Sequence, residues 1–106
     1  MHLAVAKLDV ESVRLLIKNG ADINDKDSSS GDTPVHLLVN VYSKSFSSAR
    51  EILEMLALNG ADLNAKNNDL WTPLHLAVKK GSFDAVEALI NINSLKEIHN
   101  KVDIDA

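Results

Sequence analysis

The block Gly20-Ala21-Asp22-Ile23-Asn24 returns along the chain as Gly60-Ala61-Asp62-Leu63-Asn64. A second block, Thr33-Pro34-Val35-His36-Leu37, returns as Thr72-Pro73-Leu74-His75-Leu76. A clipped copy opens the chain, where His2-Leu3-Ala4-Val5 matches His75-Leu76-Ala77-Val78. His2 and His36 are 34 residues apart, and His36 and His75 are 39 apart. Self-similarity at such a period restricts a chain to stacked units, each burying an apolar face that it cannot bury alone.

The residues within each block predict helix pairs. Thr33 and Thr72 are N-cap types, and each is followed by Pro at the first helical position. Leu74, Leu76, Ala77 and Val78 form the apolar face expected of a short first helix. Val86, Leu89 and Ile90, like Val13, Leu16 and Ile17, recur at helical spacing in a second helix. Gly20 and Gly60 follow such runs, where a left-handed residue ends a helix. The fold class expected is all-α, a solenoid of antiparallel helix pairs joined by hairpin-like turns.

This pattern resembles the ankyrin repeat. Thr72 to Ala77 reproduces the T-P-L-H-x-A signature residue for residue. Gly81 to Val86 and Leu8 to Val13 follow the family's second block, and the two Gly-Ala-Asp blocks follow its third. The resemblance covers nearly the whole chain and implies a scaffold for protein–protein interaction with no cofactor. It also implies that His2, His36 and His75 brace the turns through hydrogen bonds.

Departures from the pattern set the expected organisation. One domain, 1–106, divides into a clipped repeat 1–24, a repeat 25–64 with an insertion near 40–48, and a repeat 65–106 with a C-terminal extension near 93–100. The insertion follows from spacing: His2 to Gly20 spans 18 residues, His36 to Gly60 spans 24. Ser94 and Glu97 fit a capping box within the extension. The turn Asp27-Ser28-Ser29-Ser30-Gly31-Asp32 has the composition of a mobile loop. Leu70 stands where the family places Gly, so that turn is expected to be strained or reshaped. Both ends read as cut, as in a piece of a longer array. Leu3, Val5 and Val13 are therefore expected to lack a covering repeat and to favour self-association.

Composition narrows the function. The net charge of -4 and the 4% aromatic content argue against nucleic-acid binding, which needs a basic stripe and stacking platforms. No apolar run reaches the ~20 residues of a membrane span, so no membrane insertion is expected. The absence of Cys excludes disulfides, thiol catalysis and cysteine-based zinc sites, and fits an intracellular setting, cytoplasmic or nuclear. The serines lack a nucleophile-elbow context. The histidines lie one repeat apart with no ligand spacing. Asp9 with Glu11, Glu51 with Glu54, and Asp84 with Glu87 read as acids near the starts of second helices, where they favour the dipole. Neither a catalytic nor a metal site is expected.

The expected partner is a protein. Carried over by position, the partner-binding residues are Asp32, Asn40, Val41, Asn68, Asp69, Trp71, Lys79 and Lys80, with Ala6 and Lys7 as the matching pair in the clipped repeat. Trp71 leads, because a turn tryptophan brings a large apolar area with few rotamers to freeze. The resemblance also marks Asn24 and Asn64 as candidates for asparaginyl hydroxylation, against a plain turn-stabilising role. Two further readings are a substrate-selecting array of a larger enzyme or effector, and a structural or self-associating unit.

Overall fold

The computed structural model describes residues 1–92. Its helices are α1 (His2–Ala6), α2 (Val10–Lys18), α3 (Pro34–Val41), α4 (Phe46–Leu58), α5 (Pro73–Lys79) and α6, which covers 83–92 of the described residues. A 3-10 turn, Tyr42–Lys44, joins α3 to α4. The extension expected near 93–100 lies outside the described residues. No described helix is long and apolar enough to cross a membrane.

The first helices start as the Thr-Pro pairs dictate. Thr33 accepts a bond from the His36 N–H, and the His36 ring accepts one from the Thr33 N–H. Thr72 and His75 form the same reciprocal box. Each box satisfies two backbone donors that a helix end leaves orphaned. First helices then stack in a row, α1 on α3 and α3 on α5, while α2 lies against α4.

Stacking explains burial position by position. Val5, Val39 and Val78 occupy one place in successive first helices. Val5 and Val39 are buried beneath the following repeat, whereas Val78 is 61% exposed. Leu76 and Leu3 occupy the place that faces the preceding repeat. Leu76 is buried and Leu3 is 67% exposed. The apolar face expected of α5 is thus only half realised, with Leu76 and Ala77 in the core and Leu74 and Val78 outside it. Likewise Leu89 is buried while Ile90 is exposed. Val5 and Val13, expected to lack cover, are fully buried, since α1 packs on α3 and α2 on α4.

The insertion is regular structure rather than a loop. It forms the 3-10 turn and lengthens the N-terminal end of α4, which has 13 residues against nine in α2. Tyr42 is buried in the core and its ring meets Phe46 at 6.3 Å between centroids. This lengthening corrects the assignment of Glu51 and Glu54 to a helix start. The first turn of α4 holds no acid, and Glu51 instead pairs with Arg14 of the preceding repeat at 3.3 Å.

Asp9 does cap its helix. Its carboxylate accepts the Ser12 hydroxyl at 2.7 Å and the Ser12 N–H at 3.2 Å. Those bonds hold its pKa below the ordinary value of 3.8, the hydroxyl bond contributing most. A depressed folded pKa means that the cap stabilises above the unfolded value and that its contribution vanishes as pH falls through the folded one. An Asp9→Asn variant, whose amide caps without titrating, should therefore lose less stability between roughly pH 5 and pH 2. Urea midpoints across that range check it, and parallel pH profiles would contradict the assignment.

Candidate functional site

The turn tips interlock, and the interlock places the candidate residues. Asn67 closes its own turn, its side-chain oxygen accepting the N–H groups of Asp69 and Trp71 at 2.9 and 3.1 Å. Its side-chain nitrogen donates to the Asp32 carboxylate at 2.9 Å. One buried asparagine thus ties two turns together. Asn68 adds two bonds to the earlier turn, from its N–H to Ser30 O and from its side chain to Ser29 O.

The turn expected to be a mobile loop is cross-braced. The Asp27 carboxylate accepts from the Ser29 N–H and from the hydroxyls of Ser29 and Ser30. These bonds, led by the Ser29 N–H, lower its pKa from 3.8. Asp27 N–H also reaches Asp32 O at 2.9 Å. Asn24 to Thr33 spans 9 residues against 8 from Asn64 to Thr72, and the longer turn is held by serine hydroxyls answering one carboxylate.

Leu70 takes φ +64°, the left-handed conformation that glycine adopts without steric cost. The backbone keeps the family's turn and the leucine bears the strain, with its side chain pointing to solvent. Gly31, at the matching place in the earlier turn, has φ +74°.

Trp71 is held from both sides of its backbone. Its N–H donates to Asn67, and its carbonyl accepts the Asn67 N–H at 3.0 Å and the His36 Nε2–H at 2.8 Å. The His36 tautomer follows from these bonds: Nδ1 accepts the Thr33 N–H, so the proton sits on Nε2. The indole is half-buried against the core. The Lys79 ammonium stands 4.0 Å from the ring centroid, a cation–π contact.

Trp71 lines a groove of about 350 Å³ between the turn tips and the first helices. Six of the eight residues expected to contact a partner meet there: Asp32, Asn40, Asp69, Trp71, Lys79 and Lys80. Val41 and Asn68 do not. Val41 is half-buried at the end of α3, and the Asn68 side chain is committed to the Ser29 carbonyl. Ser30, Asn67 and Leu76 complete the lining, none of them among the expected partner contacts. Nothing local in the sequence marks Asn67. Its role depends on Asp32, which lies 35 residues away. Two carboxylates and two ammonium groups around one indole suit a partner surface of mixed charge with an apolar centre.

Asn24 serves the scaffold. Its side chain accepts the Asp62 N–H at 2.7 Å and donates to the Gly60 carbonyl at 3.1 Å, clamping adjacent repeats. Asn64 uses its N–H within its own turn, on the Asp62 carboxylate.

Comparison with known proteins identifies the family. The family pattern described as ankyrin repeats (3 copies) matches residues 1–101. The chain belongs to the ankyrin-repeat family. It is 38% identical over 79 residues to an ankyrin repeat protein of Fowlpox virus (strain NVSL), covering 74% of this chain and 21% of that one. It is 32% identical to the B-cell lymphoma 3 protein homolog of Mus musculus, covering 94% of this chain and 22% of that one. It is 29% identical to Rabankyrin-5 of Homo sapiens, covering 90% and 9% respectively. The chain thus spans less than a quarter of the length of these relatives. Ankyrin repeats are generally protein–protein interaction modules.

Proposed function

We propose that this chain is a non-catalytic module that binds a partner protein in the groove centred on Trp71. The observation that carries the reading is the fixed presentation of Trp71. Three hydrogen bonds hold its backbone, a core contact holds one side of its ring, and Lys79 covers part of the rest. An anchor ordered before binding has little entropy left to lose on docking, so its contact energy appears as affinity. The groove is lined by first helices and turns that stacking sets in a row, a rigid surface of the kind repeat proteins use.

The test is the affinity of a partner selected by capture from a lysate. Trp71→Ala should weaken that partner by about thirtyfold or more, the loss typical of a central aromatic anchor. Phe46→Ala, on the second-helix side, should leave it within about twofold. Circular dichroism of both variants checks that they fold. Equal affinity for wild type and Trp71→Ala would refute the assignment.

A further inference from the structure

The insertion that lengthens α4 also builds a second concavity, about 370 Å³ in volume, between α4 and α6. It shares no residue with the Trp71 groove. Its floor is apolar, from Leu53, Ala88 and Ile92, and one wall carries Tyr42 and Phe46. Among the described residues, its lining carries three carboxylates, Glu54, Asp84 and Glu87, and one cation, Arg50. Arg50 reaches Glu54 only at 3.8 Å, the loose end of an ion pair. Asp84 and Glu87 form no ion pair among the described residues.

Tyr42 is the independent sign that a ligand belongs there. The residue is 4% exposed, yet its hydroxyl makes no hydrogen bond among the described residues. No side-chain polar atom is both fully buried and unpaired among the described residues. The phenol oxygen therefore opens onto the groove that Tyr42 lines. A phenol oxygen at the mouth of a groove, on a side chain otherwise buried and with no partner among the described residues, is available to a ligand's hydrogen-bonding group. Burial raises the Tyr42 pKa; Arg50 opposes that rise, and Asp84 and Glu54 add to it.

We infer that this groove receives a lysine or arginine side chain from a partner polypeptide, its alkyl stem along Leu53 and Ala88 and its charged head between Tyr42 and the Asp84 and Glu87 carboxylates. The chemistry is complementary at each level. An apolar floor suits a methylene stem, aromatic faces attract a cation, and unpaired carboxylates accept its N–H donors. The groove's volume of about 370 Å³ lies within the range of small ligand clefts. The site goes beyond the Trp71 groove and would give the module a second contact on its second-helix side.

The test uses the full chain and a short glycine–serine peptide carrying one central lysine, with arginine and acetyl-lysine versions beside it. Tyr42 is the sole tyrosine, so its ring signals in a proton–carbon NMR spectrum report the groove without overlap. The lysine and arginine peptides should shift Tyr42, Phe46 and Ala88 saturably, and the acetyl-lysine peptide should not. An Asp84→Asn, Glu87→Gln double variant should weaken binding about tenfold. Tyr42→Phe should weaken it less, and Trp71→Ala not at all. Shifts spread evenly over other acidic positions, such as Glu11 and Asp62, would overturn the proposal. So would equal binding of lysine and acetyl-lysine, or no saturable shift. Groove signals that depend on protein concentration before any peptide is added would assign the site to a second copy of this chain instead.

Discussion

His36→Ala lowers the free energy of unfolding by about 3 kcal/mol, and His75→Ala by about 1 kcal/mol. The two histidines hold the same place in their repeats and form the same box with a threonine. They differ at Nε2. In His36 it donates to the Trp71 carbonyl, 35 residues on, from a fully buried ring. In His75, which is exposed, no such bond exists among the described residues. Removing His36 therefore strips the buried Thr33 N–H of its acceptor, removes a donor from the Trp71 carbonyl and opens a cavity. Each buried group left unpaired costs about 1–3 kcal/mol, and the cavity adds to that. Removing His75 takes away only an exposed cap, worth about 1 kcal/mol. Urea denaturation of both variants reads the difference directly. Equal midpoints would show that the histidine acts only within its own repeat.

Gly31→Ala should cost about 2–4 kcal/mol, and Gly20→Ala about 1–2 kcal/mol. Both glycines have positive φ, +74° and +83°, so a β-carbon strains either one by about 1–2 kcal/mol. Only at Gly31 does that carbon meet an obstacle. It would lie 2.8 Å from the backbone nitrogen of Asn68, whose N–H donates to Ser30 O. Around Gly20 there is open space. The alanine at 31 must push the second turn away from the first. That movement breaks the Asn68 bonds and strains the Asn67–Asp32 bond. The same bonds position the Trp71 groove, so Gly31→Ala should also weaken partner binding while Gly20→Ala spares it. Thermal melts of the two variants side by side decide the point. Losses of equal size would mean that the turns do not pack as closely as the structure has them.

What the sequence reveals of this fold is whatever short stretches determine. Thr-Pro-x-His encodes a cap, a first helical residue and a reciprocal acceptor within four positions, and the structure forms the box twice. Gly20 and Gly60 end their helices with positive φ as expected. Leu70 is expected to reshape or strain its turn, and strain is what is found. Features that depend on residues one repeat away are hidden from such reading. His36 finds Trp71, Asn67 finds Asp32, and Asn24 finds Gly60 and Asp62, each across 35 to 38 positions. The burial of Val5 and Val13 is hidden for the same reason, since only the stack shows which side of a helix a neighbour covers. Counting alone says that residues are added between the helices of the second repeat, and not that they form a 3-10 turn and helix. A serine-rich stretch carries little helical signal, and the burial of Tyr42 fixes it. Of the candidate site, positions near the Thr-Pro pair and the first-helix ends converge on the groove. Asn68 diverges because a hydrogen bond to the other turn claims its side chain.

The central claim is that a partner protein docks on Trp71. Because Trp71 is the sole tryptophan, its indole N–H gives one isolated signal in a nitrogen–proton NMR spectrum. Titrating the chain with a captured partner should shift or broaden that signal in step with the amides of Asp69 and Lys79, and at the same concentrations that saturate binding. An indole signal that stays in place while the partner binds to saturation would contradict the account.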